Sequence, residues 1–148
     1  MSDIIQPRTP GDARVIGKVL VAVPPPVLFA LLADPQEHPR LDGTEWVRGV
    51  IEGPERLELG SEFRMRMKGY SVTNTVVEFE ENRLIAWRHS HRHVWRWEFR
   101  EVPGGTEVTE TFDYRAKRAR FLVELFGLPK RAATSLEKTL TALRVRFG

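Results

Sequence analysis

Apolar residues recur along the chain with two different periods, and the period changes twice. Residues 14–23, RVIGKVLVAV, are rich in β-branched side chains and predict a strand. The next stretch, PPPVLFALLADP (24–35), predicts a helix. Proline is tolerated in a first turn because its missing N–H has no partner there. Val27, Leu28, Leu31 and Leu32 then recur at helical spacing. Pro35 ends this helix by pushing Asp34 out of the α region. One more short helical turn fits into PQEHPRLDG before Gly43.

From there the period is two. EWVRGVIEG (45–53), SEFRMRMKG (61–69), SVTNTVVEFE (71–80), RLIAWRHS (83–90), VWRWEFREV (94–102) and TEVTETFDYR (106–115) all predict strands. Gly-Pro, Leu-Gly, Glu-Asn and Gly-Gly signals separate them at the spacing of an antiparallel meander. In the second of these, Phe63, Met65 and Met67 point one way and Arg64, Arg66 and Lys68 the other. The period then returns to that of a helix. Phe121, Leu122, Leu125 and Phe126 make a short stripe, GLP (127–129) bends or breaks it, and Ala133, Leu136, Leu140, Leu143 and Phe147 continue on one face.

Six hairpin-linked strands with one apolar face need a cover, and the C-terminal helix is the one element long enough to supply it. The expected fold is therefore α+β: a curved seven-stranded antiparallel sheet wrapped around a long C-terminal helix, with two short helices between strands 1 and 2. Residues 1–13, with two prolines and a glycine, read as a loose N-terminal arm, and residues 14–148 as one domain.

A chain of 148 residues buries roughly 68–70% of its unfolded surface, enough for a core that encloses a cavity. There is no cysteine, which excludes disulfides, thiol nucleophiles and cysteine-based zinc sites and fits a reducing cytoplasm. No apolar run approaches a membrane span, and the first residues lack the apolar segment of a secretory signal. The net charge is +3, unevenly spread: residues 115–148 hold nine Lys/Arg against two acids, +7, leaving −4 for the remainder. That basic segment reads as a solvated helix face, with phosphate contact as the alternative.

Residues 83–100, RLIAWRHSHRHVWRWEFR, concentrate the aromatic residues. Ile85, Trp87 and His89 share one face of their strand, and Trp95, Trp97 and Phe99 one face of the next. A three- or five-residue loop around Arg92 is expected to pair Trp87 with Trp97 and His89 with Trp95. A turn at Gly104-Gly105 is expected to set Trp97 beside Phe112, Phe99 beside Glu110 and Trp95 beside Tyr114. The result is a wall, oily toward the helix and charged toward water. Three histidines at alternate positions (His89, His91, His93) match a metal site only on a straight strand, and a turn falls here, so no metal is expected. Nucleic-acid stacking needs exposed aromatics, whereas these face away from the arginines. No nucleophile elbow or phosphate loop occurs, and no cofactor is implied. Glu110 shares the face of Trp97, where a buried carboxyl has a raised pKa and can act as an acid or base; Asn74 and Tyr114 are further polar groups on the inward face.

The segments VAVPPPVLFALLADP, LELGSEFRMRM, VVEFEENRLIAWRH, WRWEFREVPGGTEVTETFDY and LEKTLTALRVRF, in this order, resemble the START-like superfamily over about residues 14–147. The nearest branch is SRPBCC, or polyketide cyclase/dehydrase. The resemblance implies a helix-grip fold with a cavity for a hydrophobic ligand between sheet and helix. The expected function is binding of a small aromatic or lipid-like molecule, as carrier or sensor, by a monomer or weak homodimer. The alternatives are a polyketide cyclase/dehydrase-type enzyme with Glu110, His89 or Tyr114 moving protons, and an interaction module related to chaperone cofactors. The expected lining from the strands is Phe63, Met65, Met67, Trp87, His89, Trp97, Phe99, Glu110 and Phe112. Leu136 and Leu140 are expected to complete it from the helix. Trp46, on a separate strand, is expected to respond less to a ligand than Trp87 and Trp97.

Overall fold

The computed structural model describes residues 3–9, 11–90, 92–117 and 120–148, with the backbone alone described at Arg120. Strand β1 (Arg14–Val21) leads into α1 (Pro25–Leu32), a 3-10 turn (Pro35–Glu37) and α2 (His38–Leu41). Six strands follow: β2 (Val47–Glu52), β3 (Glu62–Met67), β4 (Ser71–Glu80), β5 (Leu84–His89), β6 (Val94–Val102) and β7 (Gly105–Asp113). The last elements are α3 (Arg120–Leu125) and α4 (Leu128–Arg146).

The strands form one antiparallel sheet in the order β1-β7-β6-β5-β4-β3-β2. Successive hairpins lay β2 to β7 side by side, and β1 closes on β7 with Val15 opposite Phe112 and Val19 opposite Val108. The sheet curves around α4, the helix-grip arrangement. Alternation in β3 does what its sequence predicts: Phe63 and Met65 are buried, and Arg64 and Arg66 are exposed. In β4 the inward residues are Val72, Asn74 and Val76. An irregularity between Val76 and Glu78 then re-phases the strand so that Phe79 also turns in.

Helix α4 packs its Leu136, Leu140 and Leu143 stripe against the sheet near β1. Each of these leucines is buried, worth about 1.5–3 kcal/mol in transfer energy. Helix α1 covers the other end. Its inner face is Leu28, Phe29 and Leu32, with Val27 turned to solvent instead of inward as its spacing predicts. Phe29 takes that place, edge-on to Phe79 at 5.4 Å and to Phe99 at 6.0 Å.

Both aromatic hairpins differ from expectation by two residues in register. Trp87 faces Trp95, not Trp97, because the hairpin closes between His89 and His93, where His89 N donates to His93 O at 2.8 Å and Arg92 takes φ 75°. Trp97 faces Glu110, Phe99 faces Val108 and Trp95 faces Phe112. The central residues of the β6–β7 turn are Pro103 and Gly104, not the two glycines. Proline presets φ for the first corner and Gly104, at φ 91°, supplies the second. Moving a turn by one residue shifts the pairing by two, so each side chain keeps its face. His91 lies outside the described residues.

The segment before β1 is tied down. Ile4 is buried, Ile5 bridges Gly17, and the amides of Gln6 and Lys18 donate to Ile16 O (2.9 Å) and Ile4 O (3.0 Å). Among the described residues no helix is long and apolar enough to cross a membrane.

Candidate functional site

Between the concave face of the sheet and α4 lies a cavity of about 590 Å³. Its sheet side is aromatic, formed by Trp87, Trp95, Trp97 and Phe112, with Met65, Met67 and Val72 beside them. Leu32, His38, Leu41 and Asp42 close it at the α1–α2 end, and Trp46, Val47 and Tyr70 form part of its margin.

The helix side is built differently from the sheet side. Leu128, Arg131, Ala132, Ser135 and Thr139 line it. These positions recur at three and four residues, a stripe next to the leucine stripe that grips β1. Small residues at 132, 135 and 139 leave the gap between the helix backbone and the aromatic wall unfilled. A loop locks one end of this side in place. The Asp42 carboxylate accepts hydrogen bonds from the amides of Thr44 (2.9 Å) and Val47 (2.8 Å), and Gly43 N donates to Thr139 Oγ1 at 3.1 Å.

In the sheet wall Glu110 and Asn74 each bury one oxygen that has no partner among the described residues. Glu110, 6% exposed, sits on β7 between Gly17 and Trp97, and its Oε1 has no hydrogen-bond partner. Asn74, 5% exposed, sits on β4, and its Oδ1 is likewise unpartnered. Burial raises the pKa of Glu110 well above the ordinary carboxylate value, and the negative charge of Asp42 adds to the rise. The rise disfavours the charged form, which would be costly there without a partner. The two groups are three strands apart, roughly 14 Å across the sheet, and the register sets them a further four residues apart along the strands. At the other side of the cavity stand Lys117, whose pKa burial lowers, and Arg131, which donates to Phe126 O at 3.3 Å.

Of the residues expected to line the cavity, the fold brings together Met65, Met67, Trp87, His89, Trp97, Glu110 and Phe112. Phe63, Phe99, Leu136 and Leu140 sit behind this lining. Phe63 stands edge-on to Trp87 at 5.7 Å, Phe99 packs under α1, and the two leucines belong to the contact with the sheet near β1. Tyr114 is also outside it. Its hydroxyl accepts from Arg8 Nη1 at 2.8 Å and donates to Glu124, which ties the N-terminal segment to α3. His89 and His93 stack at 4.3 Å with planes 18° apart, and both line the cavity. Among the described residues no three His, Cys, Asp or Glu side chains converge on a metal-sized point.

Sequence reasoning missed His38, Asp42, Trp95, Lys117 and the helix stripe at Arg131, Ser135 and Thr139. The stripe was readable as small and polar residues beside the leucines at the same helical spacing. His38 opens α2 and Asp42 caps its end, and a helix of four residues is too short to show a periodic signal.

The model of the family described as polyketide cyclase/dehydrase and lipid transport matches residues 12–148. An uncharacterized protein of Mycobacterium tuberculosis is 42% identical over 147 residues, 93% of this chain and 66% of that protein, so the chain spans just under two thirds of this relative. Two solved structures share the fold. A Rhodobacter sphaeroides protein has a TM-score of 0.67 at 24% identity, covering 96% of both chains. A polyketide-cyclase-like protein of Corynebacterium glutamicum has a TM-score of 0.64 at 20% identity, covering 92% of this chain and 91% of that one.

Proposed function

Because the chain belongs to the polyketide cyclase/dehydrase and lipid transport family, we propose that it binds a small, hydrophobic, ring-containing molecule between the sheet and α4, as a carrier or sensor. The observation that carries this reading is the wall of Trp87, Trp95, Trp97 and Phe112 facing a space of about 590 Å³. That volume lies within the roughly 300–1,000 Å³ of small-molecule pockets. Flat rings stack on such a wall, and the few polar groups fix orientation. Glu110 and Asn74, set apart along the sheet, favour a ligand with polar groups at both ends of an apolar body.

Titration of 8-anilinonaphthalene-1-sulfonate tests this. Saturable one-site binding, lost when Ser135→Phe fills the cavity from α4, is the expected result. Binding that never saturates, or that Ser135→Phe leaves unchanged, overturns it.

A second reading is favoured by Glu110 itself. A carboxyl whose pKa burial raises can donate a proton to a carbonyl oxygen, the step that a cyclisation or dehydration needs. The Glu110→Gln variant separates the two readings, as argued below.

A further inference from the structure

Helix α3 and Phe126 just after it hold the largest run of exposed apolar side chains in the described residues. Phe121 is 70% exposed, Leu125 74%, Phe126 70% and Leu122 40%. On a helix, residues four apart stack on one face, as Phe121 and Leu125 do, and Phe126, whose amide donates to Leu122 O at 2.9 Å, continues the turn beside Leu122, so the four form a single patch. Scattered exposed leucines need no explanation, but a contiguous aromatic and aliphatic patch does.

The patch is held outward by specific ties on the other side of the helix. Val123 packs against the cluster of Phe112 and Tyr114. Glu124, the acid of this helix, is engaged by Arg8 at 3.1 Å and by the Tyr114 hydroxyl. Lys117 precedes the helix, and Lys130 and Arg131 follow it. None of these three cations is in an ion pair among the described residues. Lys117 and Arg131 also line the cavity.

We propose that this face docks on an anionic membrane surface, with Phe121, Leu125 and Phe126 entering the boundary between headgroups and acyl chains and Lys117, Lys130 and Arg131 meeting lipid phosphates. An apolar face flanked by cations is the pattern that lies in a membrane interface, where anionic lipids attract the basic residues. The charges argue against a second copy as the occupant. A symmetric contact would bring the same three cations of both copies together. Size argues against it too, because a six-residue helix about 9 Å long offers far less than the roughly 1,200 Å² that a stable interface buries. A bilayer needs no complementary surface. Docked this way, the cavity that Lys117 and Arg131 line would exchange its ligand at the membrane; that consequence, unlike the docking, rests on the proposed ligand binding.

Co-sedimentation of the full chain with vesicles tests the docking. The chain should sediment with vesicles of equal parts phosphatidylcholine and phosphatidylglycerol and much less with phosphatidylcholine alone. The difference should shrink at roughly 0.5 M salt, where charges are screened within a few ångströms. The triple variant Phe121→Ser, Leu125→Ser, Phe126→Ser should lower partitioning by at least about tenfold, since each side chain removes buried apolar area. Its melting temperature and its binding of 8-anilinonaphthalene-1-sulfonate should match the parent, which shows an intact fold. Lys130→Glu should weaken binding to the anionic vesicles alone. Failure of the parent chain to sediment with anionic vesicles overturns the proposal, as does a triple variant that sediments equally well. A concentration-dependent dimer that the triple variant abolishes, with no vesicle binding, also overturns it and makes a second copy the occupant. Vesicle binding by a chain that takes up no probe keeps the docking and removes the ligand reading.

Discussion

His38 lies flat against Trp87, with ring centroids 4.8 Å apart and planes 22° apart, while its Nε2–H donates to Leu32 O at 2.8 Å. The carbonyl can only accept, so this bond fixes the tautomer with the proton on Nε2. Phe63 meets the same imidazole edge-on at 5.6 Å. One buried neutral ring thus joins the end of α1, the start of α2 and the aromatic wall.

Burial lowers the pKa of His38 below its ordinary value of about 6.5. Between the folded pKa and 6.5 the unfolded chain holds a proton that the folded chain does not, so stability rises with pH across that window. The contribution is complete above 6.5 and is lost as pH falls toward the folded value. His38→Gln keeps a donor for Leu32 O and removes the titration. Melting curves across the acid range should show the gap between parent and variant shrinking as pH falls below 6.5. A gap that stays constant would mean that His38 does not titrate in this way.

Glu110 gives the opposite sign. Its folded pKa stands well above the ordinary 4.5, so its contribution is complete below about 4.5 and is lost as pH rises through the folded pKa. Glu110→Gln keeps the shape and abolishes the charge. Its melting temperature relative to the parent should climb as pH rises and level off once the parent carboxyl is ionised. A carrier should bind hydrophobic probes as well or better with Gln at this position. An acid–base enzyme should keep binding and lose roughly 10²–10⁴ in turnover. A parent-to-variant difference that does not vary with pH would show that the carboxyl is not held neutral by its surroundings.

The faces of the strands were legible in the sequence because they depend on parity alone. Trp87, Trp97, Phe112 and Glu110 share the inward face whether the turns sit at one residue or the next. Register was not legible to the same degree: Pro103-Gly104 and Gly104-Gly105 are both acceptable corners, and nothing local decides between them. The helix posed a different difficulty. Its heptad-like leucines mark the side that packs, yet the cavity needs the side that does not. Leu136 and Leu140 therefore looked like lining, whereas Ser135 and Thr139 line it. The exposure of Phe121 and Phe126 was not legible at all, since an apolar stripe on a helix ordinarily faces a core.

Gly43 sets the distance between the Asp42–Thr44 loop and α4. A Cβ on it would lie 2.6 Å from the carbonyl carbon and oxygen of Lys138 and 2.8 Å from Thr139 N, all backbone atoms that cannot swing aside. Gly43→Ala should therefore cost about 1–3 kcal/mol as an overpacked contact. At this chain length that is roughly 2–4 °C in melting temperature per kcal/mol. The loop shift should also loosen the Gly43–Thr139 bond and weaken probe binding. An alanine variant with unchanged melting temperature and affinity would show that the loop is not clamped to the helix.

All four tryptophans, Trp46, Trp87, Trp95 and Trp97, line the cavity, so intrinsic fluorescence reports on its contents without a label. They differ in setting. Trp87 and Trp97 are buried in the wall, whereas Trp46 is about half exposed, 6.5 Å from Tyr70 and beneath Lys68 Nζ at 5.8 Å. Trp87→Phe shrinks the stacking surface and loosens His38, so it should lower both the spectral response and the affinity for an apolar aromatic probe, by roughly tenfold for a loss near 1.4 kcal/mol. Trp46→Phe removes a ring at the margin and leaves the wall intact. It should keep the stability within about 0.5 kcal/mol of the parent, as surface changes do. Its effect should fall on the rate of probe release, because a margin residue obstructs exit more than it contributes to stacking. Stopped-flow release from the two variants separates the roles. Equal release rates in parent and Trp46→Phe, together with undiminished affinity in Trp87→Phe, would place the bound probe somewhere other than against this wall.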